Sequence, residues 1–179
     1  MKNPAKAINL DLLKPSQKEN MVLPSGRAVE VLKCVVIFEK WEGVPVKDSY
    51  GGKTVIDYCH KPLFAELVIL RMLQESGWRG VWVDTYRKKF RDNLPELSQP
   101  INLPPQQENT LNKIIKENGG LRGCWDVFAW KENRVMFAES KRRFKDAIRD
   151  TQKRWLETSL QLGFPLESFL LVEWDLKGK

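Results

Sequence analysis

Residues 123–141 read GCWDVFAWKENRVMFAESK, and this stretch decides the fold. Cys124 to Trp130 and Arg134 to Ser140 are rich in β-branched and aromatic residues and flank Lys131-Glu132-Asn133, the pattern of an antiparallel hairpin. Asn133 is the expected turn residue, because asparagine tolerates the left-handed backbone a tight hairpin needs. With Lys131 paired to Arg134, counting back along both strands sets Asp126 opposite Glu139. Opposed positions hold their Cβ atoms about 5 Å apart. Strand side chains alternate, so Lys141 follows Glu139 on one face, which Phe128 and Phe137 make partly apolar.

Two like charges so close need an offset: a proton, a cation, or solvent. A hard divalent cation meets that need well, because Mg²⁺ is typically held by one or two carboxylates with waters and substrate phosphates. Lys141 is then placed to orient or help deprotonate an attacking water and to offset charge on a phosphorane. The plain alternative is a surface hairpin with solvated Asp126 and Glu139 and a partly neutralising Lys141. Spacing alone leaves both open.

Downstream, the pattern predicts a long helix from about Arg143 to Leu162, closed by Gly163, and an apolar strand from Ser168 to Trp174. Upstream, Pro62 to Ser76 reads as a helix with proline at its first position and Gly77 after its end. Trp78 to Thr85 reads as a strand. A proline-bearing stretch through Pro95, Pro100, Pro104 and Pro105 follows, with a short surface helix from Gln106 to Asn118. Before all of these, Val29 to Glu39 and Thr54 to Tyr58 read as strands. The fold class is therefore α/β or α+β, a mixed central sheet with flanking helices. Residues 61–179 form the expected core with an insert at about 86–120, and residues 1–60 an extension packed on it.

Two polar residues sit on apolar helical faces. Glu66 shares its face with Ile69, Leu70 and Leu73, where a carboxylate is expensive unless paired or metal-bound. A salt bridge would serve as well as a metal. Gln152 falls inside the arc of Phe144, Ile148, Trp155 and Leu162, where a buried amide has a specific hydrogen-bonding job, either with a neighbouring carbonyl or in a site.

Composition narrows the chemistry. The chain has 179 residues, 42% hydrophobic and 30% charged, enough for one folded domain. No stretch approaches the roughly 18 apolar residues of a membrane helix. The first residues, MKNPAKAINLDLLKPS, lack a signal-peptide core, so a cytoplasmic or, in a eukaryote, nuclear protein is expected. Thirty Lys and Arg against 23 Asp and Glu leave a net charge of +7, which suits an anionic partner such as nucleic acid. Cys34, Cys59 and Cys124 form no CxxC pair, and His60 is the sole histidine, which argues against a disulfide framework, a zinc site or histidine catalysis. Carboxylates and lysine must carry any chemistry.

Asp126, Glu139, Ser140 and Lys141 together match the D…(D/E)-x-K signature of the PD-(D/E)XK nuclease superfamily. The element order read from Pro62 to Trp174, αβββαβ, is similar to that superfamily's restriction-endonuclease-like core. Within it, residues 123–174 resemble the VRR-NUC (virus-type replication-repair nuclease) group, in which a glycine precedes the aspartate strand and a Gln followed by an aromatic lies on the next helix. Gly123, Gln152 and Trp155 take those places, while Trp125 stands where the motif's name has proline. The resemblance implies an Mg²⁺- or Mn²⁺-dependent (endo)deoxyribonuclease. Its metal ligands would be Asp126, Glu139, the backbone carbonyl of Ser140, and Glu66, with Lys141 and Gln152 assisting catalysis. DNA is the implied partner. Many members act as dimers, which adds a second copy of the chain, though no dimer surface is legible. A nuclease-like fold that binds nucleic acid or assembles without turnover is the alternative.

From Lys141 to Arg154 seven basic residues stand against two acidic ones. Arg142, Arg143, Lys145 and Arg149 begin beside the proposed site and are the candidate phosphate contacts. A solvated charged face is the bland account of the same run.

Overall fold

The computed structural model describes residues 13–178. Residues 1–12, most of the stretch MKNPAKAINLDLLKPS discussed above, lie outside them. The described residues form a mixed α/β fold with one mixed sheet and three α-helices. The strands are β1 (Gln17–Val22), β2 (Ala28–Lys40), β3 (Val55–Asp57), β4 (Pro62–Phe64), β5 (Arg79–Asp84), β6 (Lys89–Arg91), β7 (Val127–Lys131), β8 (Arg134–Arg142) and β9 (Phe169–Leu176). The helices are α1 (Ala65–Glu75), α2 (Pro105–Asn118) and α3 (Asp150–Gln161).

The sheet runs β4-β3-β2-β9-β8-β7-β5-β6, with β1 also paired to β2. Among the described residues, β2 with β9 and β8 with β9 are the parallel pairs and the other strand pairs are antiparallel. β2 lies inside the sheet, so Ala28–Lys40 shares the sheet that carries the hairpin. The order αβββαβ expected after Pro62 is incomplete by two short strands, β4 and β6. Pro62 opens a strand rather than a helix, because Val55–Asp57 offers a pairing edge, and α1 starts three residues later.

α1 packs on one face of the sheet, where Leu67, Val68, Ile69 and Leu70 are fully buried with Val127, Ala129, Ala138 and Val172. α2 and α3 cover the other face with Leu111, Ile114, Trp155 and Leu156. At about 1.5–3 kcal/mol for each fully buried large apolar side chain, these two layers dominate folding. Phe128, Phe137 and Phe169 stand side by side on β7, β8 and β9 with ring centroids 5.0 and 5.3 Å apart. Trp155 closes the stack from α3, edge-on to Phe137 at 6.1 Å. This aromatic layer fixes α3 against the hairpin.

α3 is shorter than its apolar arc suggests, beginning at Asp150 rather than near Arg143. β8 continues to Arg142 because β9 pairs it as far as Trp174. The chain then turns at Phe144, whose φ of +58° has no place in a right-handed helix. Phe144 is consequently exposed rather than part of the arc. In the hairpin turn, Glu132 adopts positive φ and Asn133 does not. Positive φ at a central position is what a two-residue hairpin turn requires, and Glu132 supplies it.

Candidate active site

β7 and β8 pair in register from Lys131 with Arg134 to Val127 with Ala138. The next opposed residues are Asp126 and Glu139, and here the ladder changes character. The Asp126 N–H donates to Glu139 Oε2 at 3.2 Å, and the Ser140 N–H donates to Asp126 Oδ2 at 3.0 Å. Each carboxylate thus takes an amide from the opposite strand. The Asp126 carbonyl accepts the Val83 N–H at 2.7 Å, so β5 holds the other edge. β8 runs on beside β9 alone, leaving residues 139–142 at an open fork in the sheet.

Gly123 and Trp125 bring α3 to this fork. Gly123 has φ +87°, and a Cβ there would run into the Thr151 carbonyl, so glycine alone permits the approach. The buried Trp125 indole N–H donates to the Gln152 carbonyl at 3.2 Å. Gln152, in the first turn of α3, faces the carboxylates. Its Nε2 donates to Glu139 Oε1 at 2.6 Å, and its Oε1 accepts from Lys141 Nζ at 3.1 Å and from the Arg149 N–H at 3.0 Å. Lys141 Nζ also lies 3.0 Å from Glu139 Oε1. Glu139, Lys141 and Gln152 are all buried and satisfy one another.

Glu66 is buried in the first turn of α1, where the helix dipole favours a carboxylate. Its partner is Lys53, with which it forms an ion pair. Nothing in the sequence marked Lys53: it follows a Tyr-Gly-Gly turn, and its pairing with Glu66 depends on how the β2–β3 loop folds. Ser140 lines the same site, its hydroxyl accepting from the Trp174 indole at 2.8 Å.

Electrostatically the site carries surplus negative charge. Burial, then repulsion from Glu139 and Glu66, pushes the half-buried Asp126 carboxyl well above its usual range, against the pull of Lys53 and the Ser140 amide. Burial also raises Glu139, although Lys141 and the Asp126 amide work the other way. For Lys53, burial acts to lower the pKa, but Glu66, Asp126 and Asp84 outweigh it and the net shift is upward. The buried Cys124 thiol is raised well above its ordinary value by desolvation and then by Glu139 and Asp126.

These residues border one cleft of about 1050 Å³, lined by Lys53, Glu66, Asp126, Glu139, Ser140, Lys141 and Gln152. Its rim adds Lys88, Arg122, Arg142, Lys145 and Arg149. Of the four candidate phosphate contacts, Arg142, Lys145 and Arg149 therefore face the cleft. Arg143 is absent from its lining; it lies 3.6 Å from Glu173 and over the exposed Phe144 ring. Arg142 is anchored by Thr54 at 3.1 Å and stacks over Trp174.

Among the described residues, no group of three or more His, Cys, Asp or Glu converges closely enough to be a ready metal cage. The close pair is Asp126 with Glu139, and Glu66 acts on both through space. No helix among the described residues is long and apolar enough to cross a membrane. Comparison with protein-family models, curated proteins and solved structures gives no match.

Proposed function

We propose that this chain is a metal-dependent nuclease that hydrolyses DNA phosphodiester bonds, of the replication-repair or restriction type, on a restriction-endonuclease-like core. The observation that carries the reading is the fork in the sheet. Two carboxylates on adjacent strands stand there with a buried lysine and glutamine, at the floor of a cleft with basic walls. The donor set fits a hard cation, being all oxygen; burial first, then the neighbouring carboxylates, raises the Asp126 pKa, and a bound cation would offset both. Asp126 and Glu139 would hold Mg²⁺ or Mn²⁺, with the Ser140 carbonyl and Glu66 contributing. When bound, such an ion lowers the pKa of a ligated water and neutralises the scissile phosphate.

The chain's own residues supply position and charge. Lys141, held by Glu139 and Gln152, presents an ammonium beside the carboxylates, where it can orient the attacking water and meet charge developing on the phosphoryl oxygens. Gln152 fixes both partners from a rigid helix start, so neither side chain must be ordered when substrate arrives. Arg142, Lys145 and Arg149 line the path of the phosphate backbone.

A second reading is a nucleic-acid-binding module of the same fold without turnover. It is favoured by one observation: Lys141 and Lys53 already neutralise Glu139 and Glu66. The two readings separate by Mn²⁺ calorimetry followed by cleavage of plasmid, single-stranded and branched DNA. The nuclease reading expects cleavage in Mg²⁺ that Asp126→Ala reduces by about 10³-fold or more. Wild-type cleavage by Asp126→Ala would sink the assignment, and tight DNA binding with no cleavage would leave the binding module.

A further inference from the structure

A second lysine faces the same carboxylates from another part of the chain. Lys53 sits on the loop joining β2 to β3, which side chains hold in place. Tyr50, Gly51 and Gly52 all take positive φ, so the loop doubles back on itself. The Tyr50 hydroxyl donates to the buried Asp84 at 2.5 Å, and Asp84 in turn meets Arg91 at 3.2 Å. Arg87 covers the Tyr50 ring at 3.7 Å and forks onto Asp48 at 2.7 and 3.1 Å. These contacts tie the loop to the end of β5 and direct Lys53 at Glu66, its ammonium 5.9 and 5.8 Å from the Phe64 and Trp82 ring centroids.

The two lysines of the cleft are held differently. The Lys141 side chain is 10% exposed and bonded to both Glu139 and Gln152. The Lys53 side chain is 36% exposed, and its one ion-pair partner among the described residues is Glu66. Glu66 is buried and needs a cation, because an unpaired buried carboxylate is costly. An ion seated by Asp126 and Glu139 would meet that need with twice the charge.

We propose that Lys53 is a positioning residue: a tethered cation that neutralises Glu66 until a divalent ion displaces it, then turns to the phosphate backbone in the cleft. The inference rests on Asp126 and Glu139 being metal ligands. Lys53 and the metal compete for Glu66, so removing the Lys53 charge tightens metal binding while weakening the grip on DNA. A purely structural lysine would do the reverse or nothing to the metal.

The test titrates MnCl₂ by calorimetry into the full chain as wild type, Lys53→Met, Lys53→Arg and Asp126→Ala. Circular dichroism checks the fold, and Lys53→Gln stands in if Lys53→Met does not fold. Lys53→Met is expected to bind Mn²⁺ roughly five- to tenfold more tightly, and Lys53→Arg to stay near wild type. In Ca²⁺, the slope of log affinity for DNA against log salt should fall by about one for Lys53→Met. Unchanged or weaker Mn²⁺ binding by the uncharged variants overturns the inference, as does an unchanged salt slope. If Asp126→Ala binds Mn²⁺ like wild type, or wild type binds none, the metal reading itself has failed.

Discussion

Glu139 and Glu66 are both buried, and each meets a lysine, yet the two pairs are built on opposite principles. Glu139, Lys141 and Gln152 come from one strand and the helix that follows it, and every polar atom in the trio is matched. Glu66 and Lys53 come from a helix and a loop on the far side of the fork, and the lysine is open to the cleft. The first pair is locked by its neighbours, whereas the Lys53 ammonium has one ion-pair partner among the described residues and a face open to the cleft. The difference teaches that lysine neutralisation of a carboxylate means stability where neighbours lock both partners and exchange where the lysine is open to solvent.

The largest expected effect separates the two pairs directly. Lys141→Met strands Glu139 in the core, and breaking a buried pair from one side costs about 3–5 kcal/mol. Lys53→Met also leaves a buried carboxylate, Glu66, without its cation, but at a pair open to the cleft, and should cost less, about 1–3 kcal/mol. Urea denaturation without metal measures both, and equal losses would break the comparison.

A smaller effect concerns Asp126, which no lysine pairs among the described residues. Burial first, then Glu139 and Glu66, holds its folded pKa above the ordinary value of about 3.9. A carboxyl raised in this way contributes stability that is full below the unfolded pKa and lost as pH rises through the folded one. The metal-free protein should therefore lose stability from this group between acid and neutral pH. Asp126→Asn should abolish that loss, raising the neutral-pH Tm in EDTA by about 2–4 °C for each kcal/mol relieved. Thermal melts at several pH values check it, and a variant no more stable at neutral pH than wild type would count against the repulsion.

The smallest effect maps the cleft wall. Arg142 lines the cleft and Arg143 does not, so Arg142→Gln should lower the salt slope of DNA binding by about one and Arg143→Gln by clearly less. Equal slopes would move the nucleic-acid path outward over Phe144 and Arg143.

The legible parts of this molecule share one property: their contacts are close in sequence. The hairpin register follows from alternation and a short loop, and it sets Asp126 across from Glu139 before any fold is considered. The misplaced start of α3 shows the limit of local pattern. Phe144 and Ile148 have helical spacing with Trp155, but pairing between β8 and β9 extends the strand to Arg142, a contact with residues some 30 positions away. β6 is illegible for a related reason, since the three residues Lys89–Arg91 are too short a run to signal a strand, and they form one because β5 offers an edge.

By itself, the sequence determined the hairpin, its opposed carboxylates, the trailing lysine, and two polar residues on apolar helix faces, because strand and helix periodicity act over a few residues. Tertiary structure decided which cation each carboxylate meets. Gln152 reaches Glu139 because Gly123 lets α3 come close, and Lys53 reaches Glu66 because Tyr50, Asp84 and Arg87 fold the loop over β5. Ion pairing depends on distance through space, and only the packed sheet sets that distance.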